Sequence, residues 1–436
     1  MERWRYKSAQ GAILRPSSSG NPVGRIGFGL RTPNVMGTKL LCLHCFAMYF
    51  PLILAAVSAG CNDTSSVERK RTQEEVAIEE LTQFGKLTVE QDEAKRIAVA
   101  ADFSEATFDD DTLIAIKELK NLRKLDLSDT NADDGDLENL KDLAYLTELH
   151  LGPSSDGSPR PGRLEITDKG LTSIKGLKHL TKLYLKGSNF TDDALERIQP
   201  LTSLTFLSLE ETSISDAGLL RLTKLPLLKE LDLTDTDITD AGLNNLKSLP
   251  RLETLTLDGT SVTDSGLARV TEMKKIKSLS LRFGDDYALP PGGHSPTSNS
   301  MHESSGRERC QEKDGQHITG RGIDNLGALN SLEWLSVTGA SFTDDELVHV
   351  THLPKLKGLV IMSNAVSDRG LTHLKELRNL EEFQLASRGV TDAGLANLEG
   401  LSKLRWLDLE GSNVTGAGAG KLRIALPNCD IFGEGL

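Results

Sequence analysis

The chain has 436 residues, with 50 Lys+Arg against 63 Asp+Glu and a formal net charge of -13. Hydrophobic residues make up 38% of the chain and aromatic residues 5%. This composition excludes a disordered chain, a protein with many membrane spans and a basic nucleic-acid binder. Leucine returns at a fixed interval, which favours one long repetitive domain over several separate globular domains.

The amino-terminal 60 residues differ in charge from the rest of the chain, because they carry seven basic side chains and one acidic side chain. Within them, Leu40–Ala59 is an uncharged and largely apolar run. A basic segment, an apolar run and small residues in that order are typical of an export signal. We therefore predict that residues 1–60 are an export signal. If Met36 is the true start, residues 1–35 are a misassigned upstream extension.

The end of this segment, Ser58-Ala59-Gly60-Cys61, resembles a bacterial lipobox. The resemblance implies that Cys61 is lipidated and is the first residue of a mature lipoprotein. Two alternatives remain open: ordinary cleavage near Ala59, and an uncleaved anchor, since the apolar run is just long enough to span a bilayer. All three predict an exported protein that is either anchored to an envelope membrane or secreted.

After residue 60 the chain carries 43 basic and 62 acidic side chains, a net charge of -19. This charge repels nucleic acid and anionic lipid surfaces, so no nucleic-acid partner is expected. Residues 61–97 are predicted to be a tether and an amino-terminal cap, in which an amphipathic helix and a strand shield the first repeat.

A motif of the form L-x-x-L-x-L recurs along the remaining chain. Eight of the ten spacings between copies are 24 residues, and the other two are 34 and 56. The longer spacings predict insertions at about 153–162 and 284–316. The first positions of the eleven clear copies are Leu122, Leu146, Leu180, Leu204, Leu228, Leu252, Ile276, Leu332, Leu356, Leu380 and Leu404. With a degenerate copy that begins at Ala98, about 12 repeats occupy residues 98–432.

This pattern resembles the leucine-rich repeat family, whose period is 20 to 29 residues. The resemblance implies an α/β solenoid, a horseshoe with a parallel concave sheet and short convex helices. Leucines at positions 1, 4 and 6 alternate as a half-buried strand requires, and the Gly-Leu-x-x-Leu spacing that follows suits one helical face. The extension Ile-Thr-Asp-x-Gly-Leu, as in Ile238–Leu243, resembles the cysteine-containing subclass found in ubiquitin-ligase substrate receptors and in many bacterial proteins.

Two polar positions of the repeat have predicted structural roles. Asp240 and its equivalents precede the helical segment, where a carboxylate can cap free N–H groups of its own helix. Threonine stands where the subclass has cysteine, and its hydroxyl is expected to bind backbone groups of the turn. These threonines are Thr130, Thr212, Thr236 and Thr260.

Positions 2, 3, 5 and 7 of each repeat are predicted to be exposed on the concave face, where such folds recognise proteins or peptides. Exposed aromatic and apolar side chains there are candidate contact residues, although some could instead pack locally along the strands. These candidates are Tyr184 beside Phe206, Trp334 beside Val360 and Met362, and Trp406. Between the two clusters lies an acidic strip, either a solvated surface or a dock for a basic partner. It consists of Glu210, Glu230, Asp232 and Asp258.

No motif for catalysis, phosphate binding or zinc-protease chemistry occurs in the chain. The pair His349 and His352, with His373 at the position of His349 in the next repeat, could bring imidazoles within about 5 Å. No fourth ligand is evident, and surface histidines account for the pattern equally well. We therefore expect no catalytic residue, no cofactor and no metal site.

The sequence thus predicts a non-enzymatic, exported scaffold that recognises an unknown protein or peptide and associates with a membrane through its amino terminus. The alternative is an intracellular adaptor like the ubiquitin-ligase receptors. Such an adaptor would need a helical adaptor-binding segment before the repeats, and the sequence shows none there. The adaptor hypothesis also does not account for the predicted export signal.

Overall fold

The structure is a computed structural model that describes residues 71–92, 95–108, 113–153, 165–187, 189–282, 318–339 and 342–433. The predicted export signal, Cys61 and, apart from Pro153, both predicted insertions lie outside these ranges. Among the described residues, no helix is both long enough and apolar enough to cross a bilayer.

Short strands and short helices alternate along the described chain. The strands are β1 (Lys86–Asp92), β2 (Lys95–Asp102), β3 (Lys124–Asp126), β4 (Glu148–Leu151), β5 (Lys182–Leu185), β6 (Phe206–Ser208), β7 (Glu230–Asp232), β8 (Thr254–Thr256), β9 (Ser278–Arg282), β10 (Trp334–Thr338), β11 (Gly358–Met362), β12 (Glu382–Ala386), β13 (Trp406–Asp408) and β14 (Asp430–Phe432). The α-helices are α1 (Gln73–Leu81), α2 (Leu171–Ile174), α3 (Asp192–Ile198), α4 (Asp216–Leu219), α5 (Asp240–Leu246), α6 (Asp264–Val270), α7 (Gly320–Leu326), α8 (Asp344–Val350), α9 (Asp368–Leu374) and α10 (Gly416–Ala425). Four 3-10 helices complete the set: η1 (Leu113–Glu118), η2 (Asp136–Leu140), η3 (Leu220–Lys224) and η4 (Gly394–Asn397).

All strands belong to one 14-stranded sheet whose order follows the chain from β1 to β14. The strands from β2 onward are parallel, and β1 pairs antiparallel with β2. Equivalent residues of successive repeats are in register: Leu231 pairs with Leu255, which pairs with Leu279. The predicted α/β leucine-rich repeat solenoid is therefore confirmed, and β2 to β13 supply one strand for each of the 12 predicted repeats.

The repeated leucines form the core between the sheet and the helices. In the repeat that begins at Leu228, the side chains of Leu231, Leu233, Leu243 and Leu246 are at most 1% exposed. Full burial of one leucine contributes about 1.5–3 kcal/mol to stability. No single repeat can bury its leucines alone, so stability comes from the stacking of neighbouring repeats.

The predicted role of the buried threonines is confirmed. The hydroxyl of Thr236 donates a hydrogen bond to the carbonyl of Leu233 at 2.6 Å, and Thr212 binds the carbonyl of Leu209 at the same distance. Thr130 and Thr260 make the equivalent bonds, at 2.8 and 2.7 Å. Each hydroxyl thus satisfies a carbonyl of the turn that follows the strand.

The prediction that Asp240 caps its own helix is wrong. Thr239 is the capping residue of α5, and Asp240 is the first residue of the helix. The Asp240 carboxylate instead reaches the next repeat, where it accepts hydrogen bonds from the backbone N–H and the hydroxyl of Thr263, at 2.8 and 2.7 Å. Since Thr263 caps α6, Asp240 positions the capping residue of the following helix.

We call this repeated contact the aspartate ladder. Its described pairs are Asp134–Thr167, Asp168–Thr191, Asp192–Ser215, Asp216–Thr239, Asp240–Thr263, Asp264–Thr319, Asp344–Ser367, Asp368–Thr391 and Asp392–Thr415. Most of the glycines of the Thr-Asp-x-Gly-Leu motif leave room for it. A Cβ on Gly266 would lie 2.3 Å from Oδ1 of Asp240. The glycine therefore permits the approach of the preceding aspartate.

One junction between the described helices from α3 to α10 lacks this contact. Gly320 occupies the aspartate position of α7, so the capping residue of α8, Thr343, has no carboxylate from the preceding repeat. Thr343 instead forms a capping box with Glu346 of its own helix. A Cβ on Gly320 would lie 2.2 Å from Cδ2 of His349. The glycine thus makes room for the His349 ring.

The amino-terminal part of the described chain packs against the first repeat. Helix α1 begins with a capping box formed by Thr72 and Glu75. Its residues Ile78 and Leu81 are buried in the common core. Because β1 is antiparallel to β2, the hairpin pairs the sheet edge that the first repeat would otherwise leave open.

Candidate recognition surface on the open sheet face

The open face is the face of the sheet opposite the helices, which the sequence predicts to be concave. In each strand the residues at positions 4 and 6 are buried toward the helices, and those at positions 3 and 5 point to the other side. β10 shows this alternation, since Leu335 and Val337 are buried while Trp334, Ser336 and Thr338 are half-buried. The side chains at positions 3 and 5 therefore define the candidate surface.

Three rings on adjacent strands form an aromatic ledge, which we define as His150, Tyr184 and Phe206. The rings of His150 and Tyr184 stack with centroids 3.9 Å apart and an interplanar angle of 13°. The ring of Phe206 lies 4.6 Å from that of Tyr184, tilted by 37°. The predicted neighbours Tyr184 and Phe206 do meet. His150 was not identified from the sequence. It could have been, because His150 and Tyr184 both occupy position 5 of adjacent repeats.

Charged neighbours hold the His150 end of the ledge. Nε2 of His150 lies 2.8 Å from Oε1 of Glu148, and Nζ of Lys124 lies 2.7 Å from the same oxygen. The hydrogen bond with His150 is the largest cause that lowers the pKa of Glu148 to about 2; burial opposes it, and Lys124 lowers the pKa further. Glu148 is therefore ionised at neutral pH and orients the imidazole ring.

The second predicted cluster is smaller than expected. Trp334 pairs in register with Gly358, not with Val360, and a Cβ on Gly358 would lie 1.9 Å from Cε3 of the indole. The indole therefore packs over the bare backbone of the next strand. Val360 is half-buried on the open face. Met362, predicted to be exposed, is 2% exposed, which corrects that expectation.

Trp406 lies apart from the other predicted contact residues. Its strand, β13, is separated from Trp334 in β10 by two strands of the sheet. The Trp406 ring instead contacts that of Phe432 in the last strand, with centroids 6.1 Å apart. Phe432 is 49% exposed. These two rings form a separate aromatic pair at the carboxyl-terminal edge of the described sheet.

The predicted acidic strip is also corrected. Position 7 of five successive repeats forms a row with a cation at each end, which we call the charged row. Its members are Lys186, Glu210, Thr234, Asp258 and Arg282. The first four are 8%, 8%, 3% and 5% exposed. Position 7 is therefore a packed position here, because the side chains of adjacent turns are only about 5 Å apart.

Ion pairs neutralise both ends of the charged row. Nζ of Lys186 lies 3.0 Å from Glu210 and 3.3 Å from Glu211. At the other end Arg282 lies 3.2 Å from Asp235. The predicted acidic strip is thus neither a fully solvated surface nor an open row of carboxylates.

Three carboxyl groups lie in or beside the middle of the charged row: Glu210, Asp232 and Asp258. Asp232 accepts hydrogen bonds from the N–H and the hydroxyl of Thr234 at 3.0 and 2.6 Å. Oδ2 of Asp258 accepts a hydrogen bond from Ser280 at 2.9 Å, while its buried Oδ1 has no hydrogen-bond partner. Burial raises the pKa of Glu210 to about 7 and that of Asp258 to about 6, in spite of the nearby Lys186 and Arg282. Burial also raises the pKa of Asp232 and Glu230.

The histidines considered from the sequence lie in the helix layer, away from the open face. Nδ1 of His349 and Nδ1 of His352 lie 2.9 and 2.7 Å from the same oxygen, Oδ1 of Asp324. His373 is not part of this cluster of ligand atoms, and Asp324 was missed. Partial desolvation acts to raise the pKa of Asp324, but contacts with His352 and His349 outweigh it and lower the pKa. The spacing of about one repeat between Asp324 and the two histidines could have indicated that Asp324 lies beside them.

Comparisons with known proteins agree with the repeat. A family profile described as Leucine Rich repeat matches residues 224–246, which span β7 and α5. No curated protein sequence matches the chain. The repeat spacing, the sheet order and this match together support the leucine-rich repeat family, and the molecule is a leucine-rich repeat solenoid.

Several solved structures are similar to parts of the chain. An internalin (inlF) of Listeria monocytogenes is 20% identical over 83% of this chain and 94% of its own, with a TM-score of 0.45. A leucine-rich repeat protein of Leptospira interrogans is 16% identical over 76% of this chain and 94% of its own, with a TM-score of 0.30. The TLR13–ssRNA13 complex is 18% identical over 73% of this chain and 46% of that chain, with a TM-score of 0.40.

Proposed function

We propose that this chain is an exported, non-enzymatic scaffold that holds a protein or peptide on its open sheet face. The aromatic ledge of His150, Tyr184 and Phe206 is the observation that carries the proposal. Three contacting rings lie on neighbouring strands, on a face that is not covered by any helix of the described residues. Aromatic side chains at the centre of a rigid surface are the commonest anchors of binding energy in protein interfaces.

The charged row supports a partner with basic side chains. It begins at Lys186, which directly follows the strand that carries Tyr184, so it adjoins the ledge. Burial raises the pKa of Glu210, Asp232 and Asp258, which lie within or beside the row. A lysine or arginine of the partner would favour their ionised form and form a charge contact with them. Trp334, Val360 and Trp406 provide further apolar contact along the same face.

The export part of the proposal rests on residues 1–60 and on Cys61. A lipid on Cys61 would anchor the scaffold at an envelope membrane, and cleavage near Ala59 would release it. The repeat itself is proposed to be a form of the cysteine-containing subclass in which threonine replaces cysteine. Since its threonine hydroxyls satisfy turn carbonyls, the substitution preserves the structural role of that position.

The recognition proposal can be tested by selecting a random peptide library displayed on phage against the immobilised protein. We expect wild type to enrich peptides that combine an aromatic or aliphatic residue with lysine or arginine. The double variant Tyr184→Ser/Phe206→Ser should lose this enrichment. The loss should be at least ~30-fold in affinity for a selected peptide, because truncation of a central aromatic anchor costs about 2 kcal/mol or more.

Tyr145→Ser is the matched control. Tyr145 is 60% exposed and lies in the segment between η2 and β4, outside the sheet. This variant should enrich the same peptides as wild type. Equal enrichment by the double variant, with cooperative unfolding like that of wild type, would reject the open-face proposal.

A further inference from the structure

The junction between α7 and α8 departs from the rest of the helix layer in two related ways. The aspartate ladder is missing there, because Gly320 replaces the aspartate. The space that a side chain would occupy at Gly320 is filled by the ring of His349. Among the described junctions from α3 to α10, the one that lacks the carboxylate contact is thus the one where a histidine packs between the repeats.

That histidine belongs to a three-residue cluster that joins the two helices. Asp324 lies in α7, His349 lies in α8, and His352 lies two residues after the end of α8. Each offers one ligand atom, and these atoms all lie within 4.8 Å of one another. Both Nδ1 atoms converge on a single carboxylate oxygen, at 2.9 and 2.7 Å.

Hydrogen bonding alone leaves part of this cluster unsatisfied. Nδ1 of His352 is within hydrogen-bonding geometry of Asp324. Nδ1 of His349 is buried and has no hydrogen-bond partner of acceptable geometry, although Oδ1 of Asp324 is 2.9 Å away. A buried polar atom without a partner is destabilising, so a ligand that used this nitrogen would be stabilising.

We propose that Asp324, His349 and His352 bind one divalent transition-metal ion, with zinc the best match, and that the ion joins α7 to α8. Two imidazoles and a carboxylate are typical zinc ligands, with bonds of about 2.0–2.2 Å. Tetrahedral ligands at that distance are about 3.3 Å apart, so each histidine Nδ1 needs to move only about half an ångström away from Oδ1 of Asp324. Side chains of Asp324 and His352, 41% and 58% exposed, leave a fourth position open to water.

The ion would perform the task that the aspartate ladder performs elsewhere. At the other junctions a carboxylate of one repeat binds the first turn of the next. At α7–α8 the metal would link the last turn of one helix to the last turn of the next. The site is separate from the open face, so its test does not depend on the identity of the recognised protein or peptide.

The test is isothermal titration calorimetry, in which zinc chloride is added to the full chain. The protein carries no histidine tag and is first treated with a chelator. Cobalt absorption spectra of the same samples would report the coordination. We expect one equivalent of zinc to bind with visible cobalt bands of tetrahedral type. His352→Gln and Asp324→Asn should each weaken binding at least ~10-fold, since even loss of an outer-shell partner costs about 10- to 100-fold in affinity.

His373→Gln and His179→Gln are the matched controls. His373 lies in α9 and His179 lies between α2 and β5, so neither change should alter the affinity. His352 is more than half exposed, so its variant should fold whatever the role of the site. The absence of zinc binding by wild type would reject the site and leave a histidine–aspartate contact only. Undiminished binding by His352→Gln and Asp324→Asn would place the ion elsewhere and reject the proposal as well.

Discussion

At the scale of single residues, the carboxylates of the charged row resist ionisation. Glu210 is 8% exposed, and the single charge of Lys186 is shared between Glu210 and Glu211. Burial therefore raises the pKa of Glu210 from 4.5 to about 7. Asp258 follows the same rule: its pKa rises from 3.8 to about 6, because one of its oxygens is buried without a partner.

These shifts predict that the protein loses stability as the pH rises from 5 to 8. A carboxyl group with a higher pKa in the folded state holds its proton more tightly there than in the unfolded chain. For Glu210 this contribution is fully present below about 4.5 and is lost as the pH rises through about 7. One pKa unit corresponds to about 1.4 kcal/mol, so the free energy of unfolding should fall by about 2–3 kcal/mol more in wild type than in Glu210→Gln.

Urea unfolding at several pH values measures this difference. Ser208→Ala is a suitable control, since Ser208 is buried in β6 two residues before Glu210 and carries no titratable group. Its pH profile should run parallel to that of wild type. A profile of Glu210→Gln parallel to wild type would show that Glu210 is ionised in the folded protein throughout this pH range.

At the scale of helices and strands, the aspartate ladder explains why the motif Thr-Asp-x-Gly-Leu is repeated as a unit. Threonine caps its own helix, aspartate binds the capping residue of the next helix, and glycine admits the aspartate of the previous repeat. The α7–α8 junction shows that these positions depend on one another. Where Gly320 removes the aspartate, Glu346 stands at the motif's glycine position in the following helix and supplies a local cap.

Removal of one ladder carboxylate should therefore destabilise the helix of the following repeat. In Asp240→Ala the backbone N–H and the hydroxyl of Thr263 both lose their acceptor. Hydrogen bonds to a charged group contribute about 1.5–3 kcal/mol, and we expect a loss of that order in the free energy of unfolding. Asp240→Asn should cost less, because its remaining oxygen can still accept from the N–H. Chemical denaturation measures both.

Asp237→Ala provides the comparison within the same repeat, since Asp237 is exposed and precedes the capping residue Thr239. We expect a change within about 0.5 kcal/mol, as for other surface substitutions. Equal losses from Asp237→Ala and Asp240→Ala would mean that general charge, not the contact with Thr263, sets the stability.

At the scale of the whole molecule, the described repeats form one continuous sheet and one continuous core. Equivalent leucines of neighbouring repeats pair in register, so the described repeats share one sheet and one core. A recognition surface built on such an array is extended, and it combines side chains that are far apart in sequence. The aromatic ledge, for example, draws on three repeats.

The proposed export places this surface outside the cytoplasm, and processing at Cys61 is the test. We expect mass spectrometry of the mature amino terminus to find a lipid-modified Cys61 in a bacterial host, with the protein in the membrane fraction. Cys61→Ser should abolish the modification and prevent normal maturation. Cys45→Ser, within the predicted apolar run, should be processed like wild type. An unprocessed, soluble chain would reject export and favour the intracellular adaptor.

Much of this protein follows from the repeat in its sequence. The period of 24 residues, the alternation of leucines and the Gly-Leu-x-x-Leu spacing are properties of neighbouring residues in one chain. They predict the parallel sheet, the short helices and the buried threonines, because identical repeats must stack in register to bury their leucines. Tyr184 and Phe206 were also predictable as neighbours, since their positions in adjacent repeats place them on adjacent strands.

Only the tertiary structure decided which partners the charged side chains meet. The ladder joins Asp240 to Thr263 in the next repeat, and Asp324 meets His349 and His352 across a junction between helices. The burial of Met362 and Glu210 depends on the packing of adjacent turns, which no single repeat contains. A repeat pattern specifies the backbone of each unit and its stacking; it does not specify the distances between side chains of different units, and those distances set the pKa values, the ion pairs and the proposed metal site.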